Sequence, residues 1–231
     1  MSVLALLFLP LSAALAAPPA FPPGSPLKDV KVREVMPRIY HLEFPTRRLL
    51  AETFMRFQEH YESAEFHGKV FTKTEFLAAY AKVPHGTKSD YFEWDGFNLP
   101  SVAFKRFYAG EFDPLDAYEK DLLALLSGFP GDFYVIATDG GSGTLQHEIA
   151  HGLYATNSRY RDQARVLLKG ADMKPAFAML KRLGYHRSVW EDEAHAWLGE
   201  EPESLKAEGL DPEPYRALRG KLLALYARHR R

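Results

Sequence analysis

No cysteine occurs in the chain, which excludes disulfides, a thiolate metal site and a cysteine nucleophile together. His, Asp and Glu are left to do any metal chemistry. An excess of one charge is also missing. The 29 Lys and Arg against 30 Asp and Glu leave a net charge of -1, and the aromatics are dispersed among acidic and basic residues alike. No nucleic-acid partner is expected. No internal repeat is evident. Long apolar runs are absent except at the start, where MSVLALLFLPLSAALAA is interrupted by Pro10 and carries no Lys or Arg ahead of it. This run falls short of the roughly 20 residues a membrane span requires, so no stable span is expected. It ends in Ala14-Leu15-Ala16, small residues that fit a cleavage site. We therefore read residues 1–17 as a signal peptide, with a retained anchor as the alternative. Residues 18–26, PPAFPPGSP, read as a proline-stiffened leader, and 27–231 as one domain in the periplasm, the envelope or the extracellular space. With 231 residues and 46% hydrophobic content, the chain can bury one good core without dividing in two.

What is present is chemically sharper. Residues 145–155 read LQHEIAHGLYA, in which His147, Glu148 and His151 form an HExxH motif. On a helix, histidines four apart stack one above the other and can aim ring nitrogens at one ion. Glu148 falls on the neighbouring stripe, too far round for the natural third ligand but placed to take a proton from water. Leu145, Ile149 and Leu153 form the opposite, apolar face. The spacing predicts a helix anchored to the core on that face, with its histidine face, which also carries Tyr154 and Ala155, looking into a cleft. Ahead of it, DFYVIAT (132–138) reads as a strand, 139–143 as a turn and Thr144 as the N-cap. An extended peptide pairing with the edge of that strand would lie above the ion. The glycine run GGSGT has neither the Gly-Lys-Ser/Thr ending of a P-loop nor the last glycine of a nucleophile elbow, and is read as a turn.

A catalytic zinc generally takes three protein ligands, so a third is expected downstream. In SVWEDEAHAWLGE (188–200), Val189, Trp190, Ala196 and Trp197 form an apolar stripe with Glu193 at its centre, while Glu191, Asp192 and His195 fall on the polar side. A carboxylate on a buried face needs a partner. A metal ion is one such partner and an arginine is another. Should Glu193 stand away from the histidines, Glu191 and Asp192 are the next choices.

HEIAHGLYAT followed by DEAHAWL resembles the gluzincin branch of zinc peptidases, in which one helix supplies HExxH and a second supplies a glutamate followed at the third position by a small residue, here Glu193 and Ala196. It is also similar to a group of small uncharacterised proteins with HEIAHGLY and DExxAYL segments. The specific part of the likeness covers about residues 132–200. It implies a zincin-like domain holding one zinc ion and no other cofactor. In several gluzincins an aspartate four residues after the glutamate orients a zinc histidine; Trp197 stands there in this chain, so that partner must come from elsewhere.

Outside this region, Leu50, Phe54, Phe57 and Tyr61 line one face of a helix from residue 46, Thr74 caps a short helix through Lys82, and DYFEWDGFNLPS (90–101) is an aromatic loop that either walls the cleft or packs on the core. Asp113-Pro114 opens a helix to about Leu126. Periodic segments at 159–169, 173–183, 188–199 and 212–229 make the carboxy-terminal half helical. The expected fold is α+β, helix-rich, with a small sheet beside the HExxH helix. The expected function is a zinc-dependent hydrolase acting on peptide or protein, with His147, His151 and Glu193 as ligands and Glu148 as general base. Tyr154, Tyr160, Tyr185 and His186 are the positions from which an oxyanion donor could come. A scaffold protein that has lost catalysis, or an amidase acting on cell-wall crosslinks, would share these motifs.

Overall fold

A computed structural model of the chain describes residues 20–82, 90–140, 145–200 and 202–230. The apolar run at 1–17 and the turn and cap expected at 141–144 lie outside the described residues. Within the proline-rich stretch, Phe21 is buried in the core and turns begin immediately after it, so tertiary packing starts before residue 27.

The elements, in chain order, are strands β1 (Lys31–Met36) and β2 (Ile39–Glu43), helices α1 (Arg47–Glu62) and α2 (Lys73–Tyr80), strand β3 (Gly96–Pro100), helices α3 (Lys105–Tyr108) and α4 (Ala117–Leu126), and strand β4 (Tyr134–Thr138). Then follow α5 (Leu145–Thr156), α6 (Ser158–Lys169), α7 (Lys174–Arg182), α8 (Trp190–Glu200), α9 (Pro202–Ala207) and α10 (Arg216–His229). The architecture is helix-rich α+β. One four-stranded sheet, ordered β1-β2-β4-β3, has a parallel β2–β4 pair at its centre and antiparallel outer pairs.

Because alternate residues of a strand face opposite sides, the sheet divides the molecule into two apolar layers. Tyr40, Leu42 and Phe44 of β2, Val135 and Ala137 of β4, and Phe97 and Leu99 of β3 meet Leu50, Phe54 and Phe57 of α1 in a core dominated by aromatics. On the other face Ile39, Tyr134 and Ile136 meet Ile149 and Leu153 of α5, behind which α6, α8 and α10 complete the layer. The sheet thus packs against the motif-bearing helix, as the pattern of the sequence predicts.

Two local devices fix how closely α5 lies on the sheet. A Cβ added at Gly152 would stand 2.8 Å from the Ile39 side chain, so only a residue without a side chain permits this approach. At the tip of the β1–β2 hairpin Arg38 takes a left-handed backbone (φ 65), its N–H donating to the Glu34 carboxylate (2.8 Å). Its guanidinium reaches across to donate to the Thr156 carbonyl at 2.5 Å, satisfying an orphan acceptor at the end of α5.

Several sequence expectations are corrected. Residues 90–101 are not a loop throughout, because 96–100 form edge strand β3, with Phe97 and Leu99 facing the core. Gly96 and Pro100 hid a short alternation, and proline is tolerated because the strand is an edge. The strand before the motif helix is internal, paired on both sides, so the sheet's edges are β1 and β3. The second helix is capped by Thr72, not Thr74, through a reciprocal capping box with Glu75. Helix α4 likewise begins after Asp116, boxed with Glu119, and not at Asp113-Pro114, which precedes it as a cis peptide in a turn. Strands β1 and β2 were not anticipated. Among the described residues, no helix is long and apolar enough to cross a membrane.

Candidate metal centre

Helices α5 and α8 pack face to face and bring His147, His151 and Glu193 together, one ligand atom of each lying within 4.8 Å of the others. All three are buried. The histidines, one turn apart, point their Nε2 atoms at each other across 3.1 Å. Glu193 Oε1 stands 3.9 Å from His151 Nε2. With metal–nitrogen bonds of about 2.0–2.1 Å, the ligand atoms of a tetrahedral zinc lie about 3.4 Å apart. The pair distances bracket that edge, and the donor set of two imidazoles and a carboxylate suits zinc chemically. The residues therefore fit one metal ion. Glu193, placed on the buried stripe by the sequence, remains the third member, and neither Glu191 nor Asp192 has to replace it.

The surroundings differ from the amphipathic picture. Residues 147–154 of α5 are buried without exception, sheet on one side and α8 on the other. The histidine face is therefore largely covered by α8. On α8, His195 is not on a polar, solvated side: it is 2% exposed, stacked on the Tyr154 ring at 4.8 Å and edge-on to Tyr160. The wheel treats a helix as having one wet side, and packing against several helices removes it. Glu191 does face outward, where Arg165 Nε donates to it at 3.0 Å.

Asp192, which the sequence offered only as a substitute ligand, takes a different place. His151 Nδ1 lies 2.9 Å from its Oδ1, and His195 Nδ1 lies 3.3 Å from the same oxygen. A carboxylate on Nδ1 fixes the tautomer and aims Nε2 at the shared point. The partner missing from position 197 is thus supplied by the residue just before Glu193. Trp197 takes a different part: its indole N–H donates to Glu193 Oε2 at 3.1 Å.

The electrostatics follow from burial and these contacts. Burial, with His151 and His195 nearby, holds His147 well below its usual pKa. Burial would also lower His151, but the Asp192 and Glu193 carboxylates outweigh it and raise that imidazole well above its usual range. Asp192 is pulled down to about 2: burial opposes its ionisation, and the two histidines overcome it. From α1, Glu62 is pushed well up by burial and then by Glu193, with Glu148 and Asp192 contributing. Tyr61 is raised by burial, Asp192, Glu62 and Glu193. The end of α1 therefore faces this site. It is tied there by the Glu62 carbonyl accepting from His186 N–H (2.7 Å) and by a bridge from Ser63 to Tyr185. No local pattern in the sequence announces Tyr61 or Glu62, since the pairing is tertiary.

Glu148, next to His147, is also buried. The surroundings of the four donor positions drawn from the sequence differ. The Tyr154 hydroxyl accepts from Arg165 Nε at 3.1 Å. Tyr160 packs between His195 and His229. Tyr185 is half-buried with its carbonyl accepting from the Trp190 indole, and the His186 ring stacks on His67 at 3.7 Å. Comparison with known proteins adds no relative: no family model, no curated protein and no solved structure matches the chain.

Proposed function

We propose that the protein is a zinc-dependent hydrolase that cleaves peptide bonds, with His147, His151 and Glu193 as ligands and Glu148 as general base. The observation that carries this reading is the convergence of His147, His151 and Glu193 from two helices, with Glu148 adjacent to the first ligand. Zinc, when bound, acidifies water and polarises a carbonyl near neutral pH. Glu148 accepts the proton that the attacking water loses and returns it to the leaving amine. Asp192 keeps His151 in the tautomer that presents Nε2. Tyr61, whose hydroxyl lies within electrostatic reach of the Asp192 and Glu193 carboxylates, joins Tyr154, Tyr160, Tyr185 and His186 as a position from which a donor to the developing oxyanion could come. A base beside the first ligand is superfluous in a purely structural zinc site, which also usually closes its shell with a fourth protein group. This favours catalysis over a scaffold role. The export expected from the apolar run before Ala16 would direct the enzyme to peptides outside the cytoplasm.

Metal analysis of the purified chain, paired with Glu148→Gln, tests the reading. The expected result is one zinc per chain in both proteins and a turnover on casein-derived peptides lowered by roughly 10²–10⁴-fold in the variant. A chain that takes up no zinc, or a zinc-loaded Glu148→Gln protein that turns over like the parent, would reject it.

A further inference from the structure

We infer that Trp197 restricts Glu193 to one metal-binding oxygen, and so keeps coordination positions open for water and substrate. The inference rests on the zinc reading above and concerns how this chain holds the carboxylate.

Glu193 and Trp197 are separated by one helical turn of α8, so their side chains lie on one stripe. The indole Nε1–H donates to Oε2 of Glu193 at 3.1 Å, while Oε1 is the oxygen turned toward His151 Nε2, 3.9 Å away. The two oxygens are thereby given different tasks. The same indole lies edge-on to the other histidine, its ring centre 6.3 Å from that of His147 with an interplanar angle of 82°. The indole thus stands beside two of the three ligands. Glu193 is 4% exposed, so water does not easily replace the indole as donor to Oε2.

The chemical consequence concerns the count of ligands. Two imidazole nitrogens and one carboxylate oxygen leave zinc a fourth position for water and room for a fifth when a carbonyl approaches. A carboxylate free to bind through both oxygens would occupy the position that the substrate needs. Trp197 is thus a positioning residue acting through Glu193. Asp192, one residue before the ligand, performs the equivalent service for His151 as an acceptor. Helix α8 carries one ligand and holds two of them.

The test is the visible spectrum of the cobalt(II)-substituted protein, in which band intensity falls as coordination number rises, for the parent and for Trp197→Phe. Phenylalanine keeps an aromatic ring and removes only the donor. The expected result is an intense, four-coordinate spectrum for the parent and a band at least halved in the variant, with cobalt affinity changed less than tenfold. A Trp197→Phe protein that binds cobalt with the parent's spectrum overturns the inference while leaving the zinc reading intact. A parent that binds no cobalt or zinc removes both. If Trp197→Phe fails to fold, a crystal structure of the zinc-loaded parent decides. One carboxylate oxygen at about 2.0–2.2 Å, with the other still on the indole, supports the inference. Both oxygens bound to the ion overturn it.

Discussion

On the α1 side of the sheet, Arg56 and Glu119 form a buried ion pair, 7% and 0% exposed at the side chain. Two hydrogen bonds of 2.6 and 2.5 Å join them, and Arg56 also donates to the Phe112 carbonyl at 3.0 Å. On the α5 side, buried carboxylates instead gather around two imidazoles, His147 and His151. An arginine is a permanent cation with a fixed fork of donors, so the first cluster is closed by the chain itself. An imidazole carries no fixed charge and offers a lone pair, so the second can accept a cation from outside. Equal burial with different donor chemistry separates a cluster closed by the chain from one able to hold an ion.

The comparison breaks most visibly at Glu119. Replacing it with alanine leaves a buried guanidinium without its counter-charge and should cost about 3–5 kcal/mol. Urea unfolding monitored with and without excess zinc should show a loss that is the same in both series. A loss that zinc restores would place the two clusters in one unit and undo the contrast.

Asp192→Asn addresses the second cluster and should weaken zinc binding about 10- to 100-fold, the usual consequence of losing the group that orients a ligating histidine. Competition against a chromogenic chelator measures it. An unaltered affinity would mean that α5 packing alone aims His151.

The smallest effect belongs to Glu59, which lies on α1 between the two clusters. It accepts the Tyr91 hydroxyl at 2.9 Å, and burial raises its pKa from 4.5 to about 7 despite that hydrogen bond. Because the folded value is the higher one, folding favours the protonated form. The associated stability is fully present below about pH 4.5 and is lost as pH rises through about 7. Glu59→Gln should therefore match the parent at pH 4 and exceed it at pH 8 by about 1 kcal/mol, less than the full shift would give, because the residue is only half-buried. Midpoints of urea unfolding at the two pH values read this directly, and a variant less stable at pH 8 would contradict the sign.

Chemistry that depends on spacing along one helix is legible in the linear chain. The four-residue step fixes His147 above His151 with Glu148 beside them, and the apolar stripe of 188–200 marks Glu193 as a carboxylate in need of a partner, because helical geometry is local and repeats every 3.6 residues. The helical half, the strand before the motif and the overall α+β class follow from the same periodicities. Strand β2 could not be read so: IYHLE has His41 and Glu43 on its α5 side, and only the neighbouring strands and helices make that segment the centre of a sheet. Nor could β3, where glycine and proline bracket two core residues. Burial of His195, the turn of Asp192 toward His151, the donation from Trp197 to Glu193 and the nearness of Tyr61 and Glu62 were decided only by the tertiary arrangement. Each of these depends on which face a neighbour covers, and a helical wheel fixes angles around one axis without saying what stands opposite.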